Sequence, residues 1–259
     1  MWNIIKAQLY QLRRTRLAGI GFLVSLFLIA VPVVSDIWYQ DAKDWTGKPY
    51  TGSCYITDYG ATSAVIALLF IGVITGIVMG KDFHDQTVNY ELMTGHIRKE
   101  VFGGRVLLAI CIGISGGIIL MLIPVVVLSL ILGWGTYITV SQYALRLLLV
   151  IFPFFRIICE MIFFTVILKN PYIVMGGTFY ISMGLSDYFP PSTLLGISNL
   201  NLIFNLNTWE VDTMGEKRYL MVDAALNGAD VVKTVAVSVL IGVFFLMLAY
   251  RYLHHDDLN

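Results

Sequence analysis

Six apolar stretches, each long enough to cross a bilayer, constrain this chain more than any motif does. They fall at residues 17–37, 59–80, 106–132, 143–168, 171–189 and 231–252. A membrane helix needs about 20 mainly apolar residues. Within hydrocarbon a backbone amide finds no water, so a spanning segment must satisfy its polar groups internally, as a helix does. Hydrophobic residues make up 58% of the chain and charged residues 13%. A soluble domain usually has about 45–50% and about 25%. The reading is therefore an all-α, polytopic membrane protein with six transmembrane helices, forming a single membrane domain over 1–259. No soluble domain of ordinary size fits in the remaining residues.

Charge sets an expected orientation. With the N-terminus inside, the cytoplasmic face holds Lys6, Arg13, Arg14, Arg16, Lys81, Arg98, Lys99, Arg105, Lys169 and Arg251. The outer face holds Lys43, Lys48, Lys217, Arg218 and Lys233. Arg146 and Arg156 lie inside a span, so ten, five and two account for all 17 basic residues. Cytoplasmic loops carry the excess of Lys and Arg, which gives N-in and C-in. The formal net charge is zero, so no basic surface points to nucleic acid. Cys54, Cys111 and Cys159 match no zinc spacing, and the latter two lie within apolar stretches, against a disulfide framework. The first stretch shows no A-x-A-like cleavage site near its end and reads as a retained signal-anchor.

Three segments outside the spans carry pattern. In residues 1–16, Trp2, Ile5, Leu9 and Leu12 recur at helical spacing, with Asn3, Gln11 and Arg14 opposite and Lys6 and Arg13 flanking. This predicts a helix lying in the cytoplasmic interface; a polar lead-in that only sets topology is the plainer alternative. Residues 190–230 form an outer segment. Within it 192–206, STLLGISNLNLIFNL, is too apolar for an ordinary loop and too short to span. It either dips back as a re-entrant helix or caps the outer face. Lys169-Asn170-Pro171 is a very short turn, and makes the fourth and fifth spans antiparallel neighbours.

The third segment, 81–105, reads KDFHDQTVNYELMTGHIRKEVFGGR. Asp85 to Thr94 can form a short helix with a carboxylate at its positive end, and Gly95 suits a left-handed C-terminal cap. From His96 to Arg105 the helix restarts and runs into the third span. Val88, Tyr90, Leu92 and Met93 form an apolar-aromatic cluster among four acidic and four basic side chains. Mixed charge around such a cluster fits docking to a protein. A solvated hairpin without a partner would read much the same, since exposed apolar residues are common.

This layout resembles the permease subunit of ABC-2 type ABC transporters, the type V exporter-like group. The resemblance rests on the basic interfacial start, the six spans, Gln86-Thr87-Val88-Asn89-Tyr90-Glu91-Leu92, then Thr94-Gly95, Arg98 and Arg105 entering the third span. In that family the corresponding region is a coupling helix seated on the ATPase. The resemblance implies an ATPase-coupling role for Val88, Tyr90, Glu91, Leu92, Met93 and Arg98. It also implies a separate ABC ATPase subunit carrying ATP and magnesium, with no cofactor on this chain, and a second permease copy or a homologous permease. The apolar outer segment resembles the family's re-entrant helices. Members export peptides, drugs, lipids or polysaccharides; the small size here is similar to exporters of antimicrobial or toxin peptides in a bacterial plasma membrane.

Two other chemistries fit the residues poorly. Gly76-Ile77-Val78-Met79-Gly80-Lys81-Asp82 has one residue too few for a P-loop and an aspartate where a hydroxyl is needed on magnesium. Gly113-Ile114-Ser115-Gly116 looks like the G-x-S-G of intramembrane serine proteases. A serine nucleophile needs a base within reach, yet His84, His96, His254 and His255 all lie at or beyond the span ends. Small residues there also serve close helix packing. His254-His255-Asp256-Asp257 reads as a solvated tail rather than a metal site. Inside the membrane, Arg156 and Glu160 are four residues apart and share a helix face, with Pro153 one turn earlier as a candidate kink. The pair fits a structural tie, a subunit seam or translocation path, or an ion site in an ion-coupled secondary transporter. Arg146 is expected to snorkel toward the outer boundary.

Overall fold

The computed structural model describes residues 2–38, 51–81, 97–172, 175–177, 203, 207–211, 217–221, 226 and 228–255. The helices are α1 (Trp2–Arg14), α2 (Arg16–Trp38), α3 (Gly52–Thr75), α4 (Arg98–Leu132), α5 (Val140–Leu168) and α6 (Gly228–His255). A π-helical turn, Gly76–Gly80, continues α3. Strands β1 (Asn207–Val211) and β2 (Lys217–Met221) pair antiparallel, with Trp209 opposite Tyr219 and Glu210 opposite Arg218. This hairpin is an addition to an otherwise helical architecture. Among the described residues five helices suit a membrane crossing by length and composition: Arg16–Ser35, Tyr59–Gly80, Arg98–Leu132, Val140–Leu168 and Val231–His254. The span expected at 171–189 apart from 171–172 and 175–177, the re-entrant segment at 192–206 apart from Ile203, and most of 81–105 lie outside the described residues.

Burial ranks the helices from centre to rim. The apolar window of α3 is 83% buried and that of α5 is 67% buried, against 17% for α2 and for α6. So α3 and α5 form the middle, with α4 across both and α2 and α6 outside. The rim helices turn Leu23, Phe27 and Val31 of α2 and Leu240, Phe244 and Met247 of α6 outward. In a bilayer this exposure is ordinary, because lipid tails are as apolar as the side chains they meet.

Packing between the central helices depends on glycine. A Cβ at Gly116 would fall on the Phe70 ring, one at Gly117 would stand 2.9 Å from the Phe154 ring, and one at Gly113 would stand 3.0 Å from Ile158. Those glycines let α4 close on α3 and α5. Ser115, in the same stretch, faces outward and donates to the Ile112 carbonyl of its own helix at 3.3 Å. Several polar groups inside the bundle are tied to neighbours: Tyr143 Oη donates to the Met121 carbonyl at 3.1 Å, and the Tyr55 and Ser63 hydroxyls meet at 2.8 Å. A buried hydroxyl left without such a partner is costly.

Each side of the bundle is closed differently. On the side away from α1, Gly52 N donates to the Gly133 carbonyl at 3.0 Å and Ser53 N to that of Trp134 at 2.7 Å, clipping the start of α3 to the end of α4. Gly133 and Gly135 take positive φ, 83° and 86°, which glycine accepts without a Cβ clash. α5 then starts in a capping box: Gln142 N donates to Thr139 Oγ1 at 3.3 Å and Thr139 N to Gln142 Oε1 at 3.0 Å.

On the α1 side, α5 ends at Lys169, the one non-glycine residue with positive φ (51°) among the described residues. Its N–H donates to the Thr165 carbonyl at 2.9 Å, and Asn170 Oδ1 accepts from Tyr172 N at 2.9 Å as the chain turns at Pro171. This turn presses on the π-helical end of α3. A Cβ at Gly80 would stand 2.8 Å from Pro171 Cβ and 2.9 Å from its Cα, and one at Gly76 would stand 2.8 Å from Met175.

Helix α1 forms as the interfacial spacing predicts, but its buried face differs. Ile4, Gln8 and Leu12 are buried and Ile5 half-buried, whereas Trp2 and Leu9 are exposed. The reason is Gly104 of α4, which leaves room for Ile4 and Ile5 and rotates the helix about one position.

Gly80→Ala should lower thermal stability in detergent. The added methyl would meet the Cβ and Cα of Pro171 and Cγ2 of Thr165 within 3.0 Å, and overpacking of this kind costs about 1–3 kcal/mol. Gly19→Ala meets nothing within 4 Å, and should be neutral or stabilising by up to about 1 kcal/mol, the helix-propensity gain. Equal melting temperatures for the two variants would contradict the packing at the π turn.

Candidate functional site

α5 is a 29-residue helix whose apolar run is interrupted by charge near its midpoint. Arg156 Nε donates to Glu160 Oε1 at 2.8 Å, with the arginine side chain fully buried and the glutamate side chain 11% exposed. Four-residue spacing brings the two groups together on one face. An unpaired charge at mid-bilayer costs about 2.5–3.5 kcal/mol on an insertion scale, so the pairing offsets part of that for each.

The pair sits at the seam with α6. A Cβ at Gly242 would stand 2.7 Å from the Phe155 ring and 3.4 Å from Arg156 Cα, so α6 approaches α5 closely at this level. One turn from Gly242, Ser238 faces the same seam and is fully buried. Among the described residues Arg156 Nη1, Arg156 Nη2 and Ser238 Oγ have no hydrogen-bond partner. Glu160 thus neutralises the guanidinium but engages only one of its three nitrogens, and the rest of its donor fork remains unused.

Arg146, nearly three turns away on α5, does not snorkel. It is 2% exposed, and its Nη1 donates to the carbonyl of Ile203, itself buried. The outer apolar segment supplies a backbone acceptor over this arginine, so the charge is capped by protein rather than led out to water. Nothing in the sequence of 192–206 indicates which carbonyl would do so. Arg105 of α4 is a third buried arginine, 1% exposed, at the level of Gly104 and α1.

The proposed coupling residues divide by position. Val88, Tyr90, Glu91, Leu92 and Met93 lie outside the described residues. Arg98 is the first residue of α4, and its Nη1 donates to the carbonyls of Leu253 at 3.3 Å and His254 at 3.4 Å. The last carbonyls of a helix lack intrahelical partners and carry partial negative charge, so a guanidinium there both caps and complements α6. Arg98 therefore fastens the exit of the 81–105 segment to the end of α6. Its entrance leaves from the packed turn at Gly80, and Gly104 carries α1 on its surface. Among the described residues no three His, Cys, Asp or Glu side chains gather as a metal site.

Removing one member of the α5 pair should harm the protein more than removing both. Breaking a buried pair from one side typically costs about 3–5 kcal/mol, while an apolar replacement of both is often near neutral. Arg156→Leu and Glu160→Leu should each lower the melting temperature and membrane yield, and the double variant should recover most of the loss. Additive losses in the double variant would show that the two side chains do not act as a pair. No protein-family model matches this chain and no curated protein is significantly similar to it, so the reading of the site rests on the geometry above.

Proposed function

We propose that this chain is the membrane permease of an ATP-driven exporter of the ABC-2 type, working with a separate ATPase subunit and a second permease copy. The observation that carries the reading is the junction on the α1 side. The segment 81–105 leaves from the π-helical end of the most buried helix, α3, and returns through α4. At its return it is tied to α1 through Gly104 and to the end of α6 through Arg98. A push on such a segment reaches α1, α3, α4, α6 and the turn after α5 together. π-Helical turns are frequent at functional sites, and α4, with 35 residues and a length of about 52 Å, is longer than the bilayer core of about 30 Å.

In this reading the ATPase dimer docks below the segment, with Val88, Tyr90, Leu92 and Met93 filling a groove and Glu91 and Arg98 at its rim. Closure on ATP rocks the permeases, and ATP and magnesium stay on the partner. An amphipathic peptide, toxin or drug is the cargo favoured by the small size of the chain, and a bacterial plasma membrane is the setting. The chain is a permease without catalytic residues of its own.

A second reading, an ion-coupled secondary transporter, is favoured by the Arg156–Glu160 pair near mid-membrane. Intramembrane ionisable residues mark ion and proton paths in such proteins. The two readings separate by energy source. The ATP-driven reading predicts co-purification with a nucleotide-binding subunit and no ATPase activity in the isolated chain. Transport by the isolated chain driven by a proton or sodium gradient would overturn it.

The docking roles have their own test. Tyr90→Ala and Leu92→Asp should detach the ATPase or uncouple hydrolysis from transport, by about tenfold or more as expected for a buried aromatic or aliphatic anchor, with membrane levels of the chain unchanged. Unchanged complex formation and coupling in both variants would reduce the segment to a hairpin.

A further inference from the structure

We propose that α1 is a binding surface for anionic phospholipid headgroups. Its inner face, Ile4, Gln8 and Leu12, is buried in the protein, so its outer face is what remains to meet a partner. That face is built from apolar and cationic residues one turn apart: Trp2 with Lys6, Leu9 with Arg13, and Tyr10 with Arg14. Trp2 is 66% exposed and Tyr10 58%. Lys6 Nζ stands 5.5 Å from the Trp2 ring centroid and Arg14 Cζ 5.0 Å from that of Tyr10, so each cation lies over an aromatic face.

Charge selects the partner. Lys6, Arg13, Arg14 and Arg16 are all exposed, and the first acidic residue of the chain is Asp36, at the far end of α2. Four cations with no neighbouring carboxylate in sequence make a surface for phosphate-bearing headgroups. Trp and Tyr are the side chains that settle at the headgroup level, with an apolar body and a polar tip. Position selects lipid over an acidic protein. α1 breaks only at Thr15 before α2, and the outward residues continue without interruption through Leu17, Ile20 and Leu23 of that span. The lipid leaflet is therefore next to this face by covalent connection. Because α1 seats Ile4 and Ile5 on Gly104, a headgroup held by its outer face also fixes the start of α4. The proposal does not depend on the energy source of transport.

The test uses the purified protein, with any co-purifying subunit, in nanodiscs of equimolar phosphatidylglycerol and phosphatidylcholine. Bromine, a contact quencher of indole fluorescence, is placed on the acyl chains of one lipid or of the other. The Trp2 contribution is the difference between wild type and Trp2→Phe. Trp2 should be quenched about twofold more when phosphatidylglycerol carries the bromine, reflecting electrostatic enrichment of that lipid. The excess should vanish in 1 M salt, where the screening length falls to about 3 Å, and in Lys6→Gln/Arg13→Gln/Arg14→Gln/Arg16→Gln. Should the fourfold variant fail to fold, Lys6→Gln/Arg13→Gln and the salt series carry the same test. Equal quenching by both lipids overturns the proposal, leaving a helix that touches lipid without choosing charge. Absence of Trp2 quenching by either overturns it in favour of a protein partner on this face.

Discussion

Hydrocarbon offers a backbone amide no partner outside its own helix, and the arrangement of this molecule follows from where that constraint is relaxed. The membrane-suited helices satisfy it along most of their lengths, although α2, α4 and α5 each carry an internal proline, which has no N–H to donate. Other exceptions lie at the ends. On one side Gly133 and Gly135 turn the chain while two amides of α3 donate to the turn that follows α4. On the other, the π turn, the left-handed Lys169 and the Asn170–Pro171 turn interlock. Irregular backbone is tolerated at such depth only where protein surrounds it, which accounts for the complete burial of Gly76–Gly80.

Buried charge follows a similar logic at three levels of the bundle. Arg105, Arg146 and Arg156 are all buried, and the partners of the two on α5 differ in kind. Arg146 takes a backbone carbonyl and Arg156 a carboxylate one turn along. The second solution is incomplete, since two guanidinium nitrogens have no acceptor among the described residues. A group in this condition is stabilised by any state of the protein that supplies acceptors.

Much of this was legible in the sequence, because hydropathy and spacing act locally. The apolar runs locate α2, α4, α5 and α6 to within a few residues at most ends, and i,i+4 spacing places Arg156 beside Glu160. The helices extend beyond the runs where polar residues start them. Thr139 and Gln142 are three apart, the spacing of a capping box, and could have moved the start of α5 from 143 to 140. Other features have no local signal. The π turn is fitted to Pro171, some ninety residues on, and the buried face of α1 is set by the space at Gly104. The direction of Arg146 depends on where Ile203 lies. The β-hairpin has five-residue strands flanking a stretch with one glycine, a weak pattern beside spans of more than twenty apolar residues.

The account requires the junction of α1, α4 and α6 to face the cytoplasm, where an ATPase and ATP are found. Accessibility of single cysteines to a membrane-impermeant maleimide decides this, in a background with Cys54, Cys111 and Cys159 replaced. Ile97, 65% exposed beside Arg98, reports on the junction, and Thr136, exposed between α4 and α5, reports on the opposite side. The account predicts that Thr136→Cys is labelled in intact cells and Ile97→Cys only after the membrane is permeabilised or inverted. Labelling of Ile97→Cys in intact cells, with Thr136→Cys protected, would place the junction outside and contradict an ATP-driven mechanism acting through it.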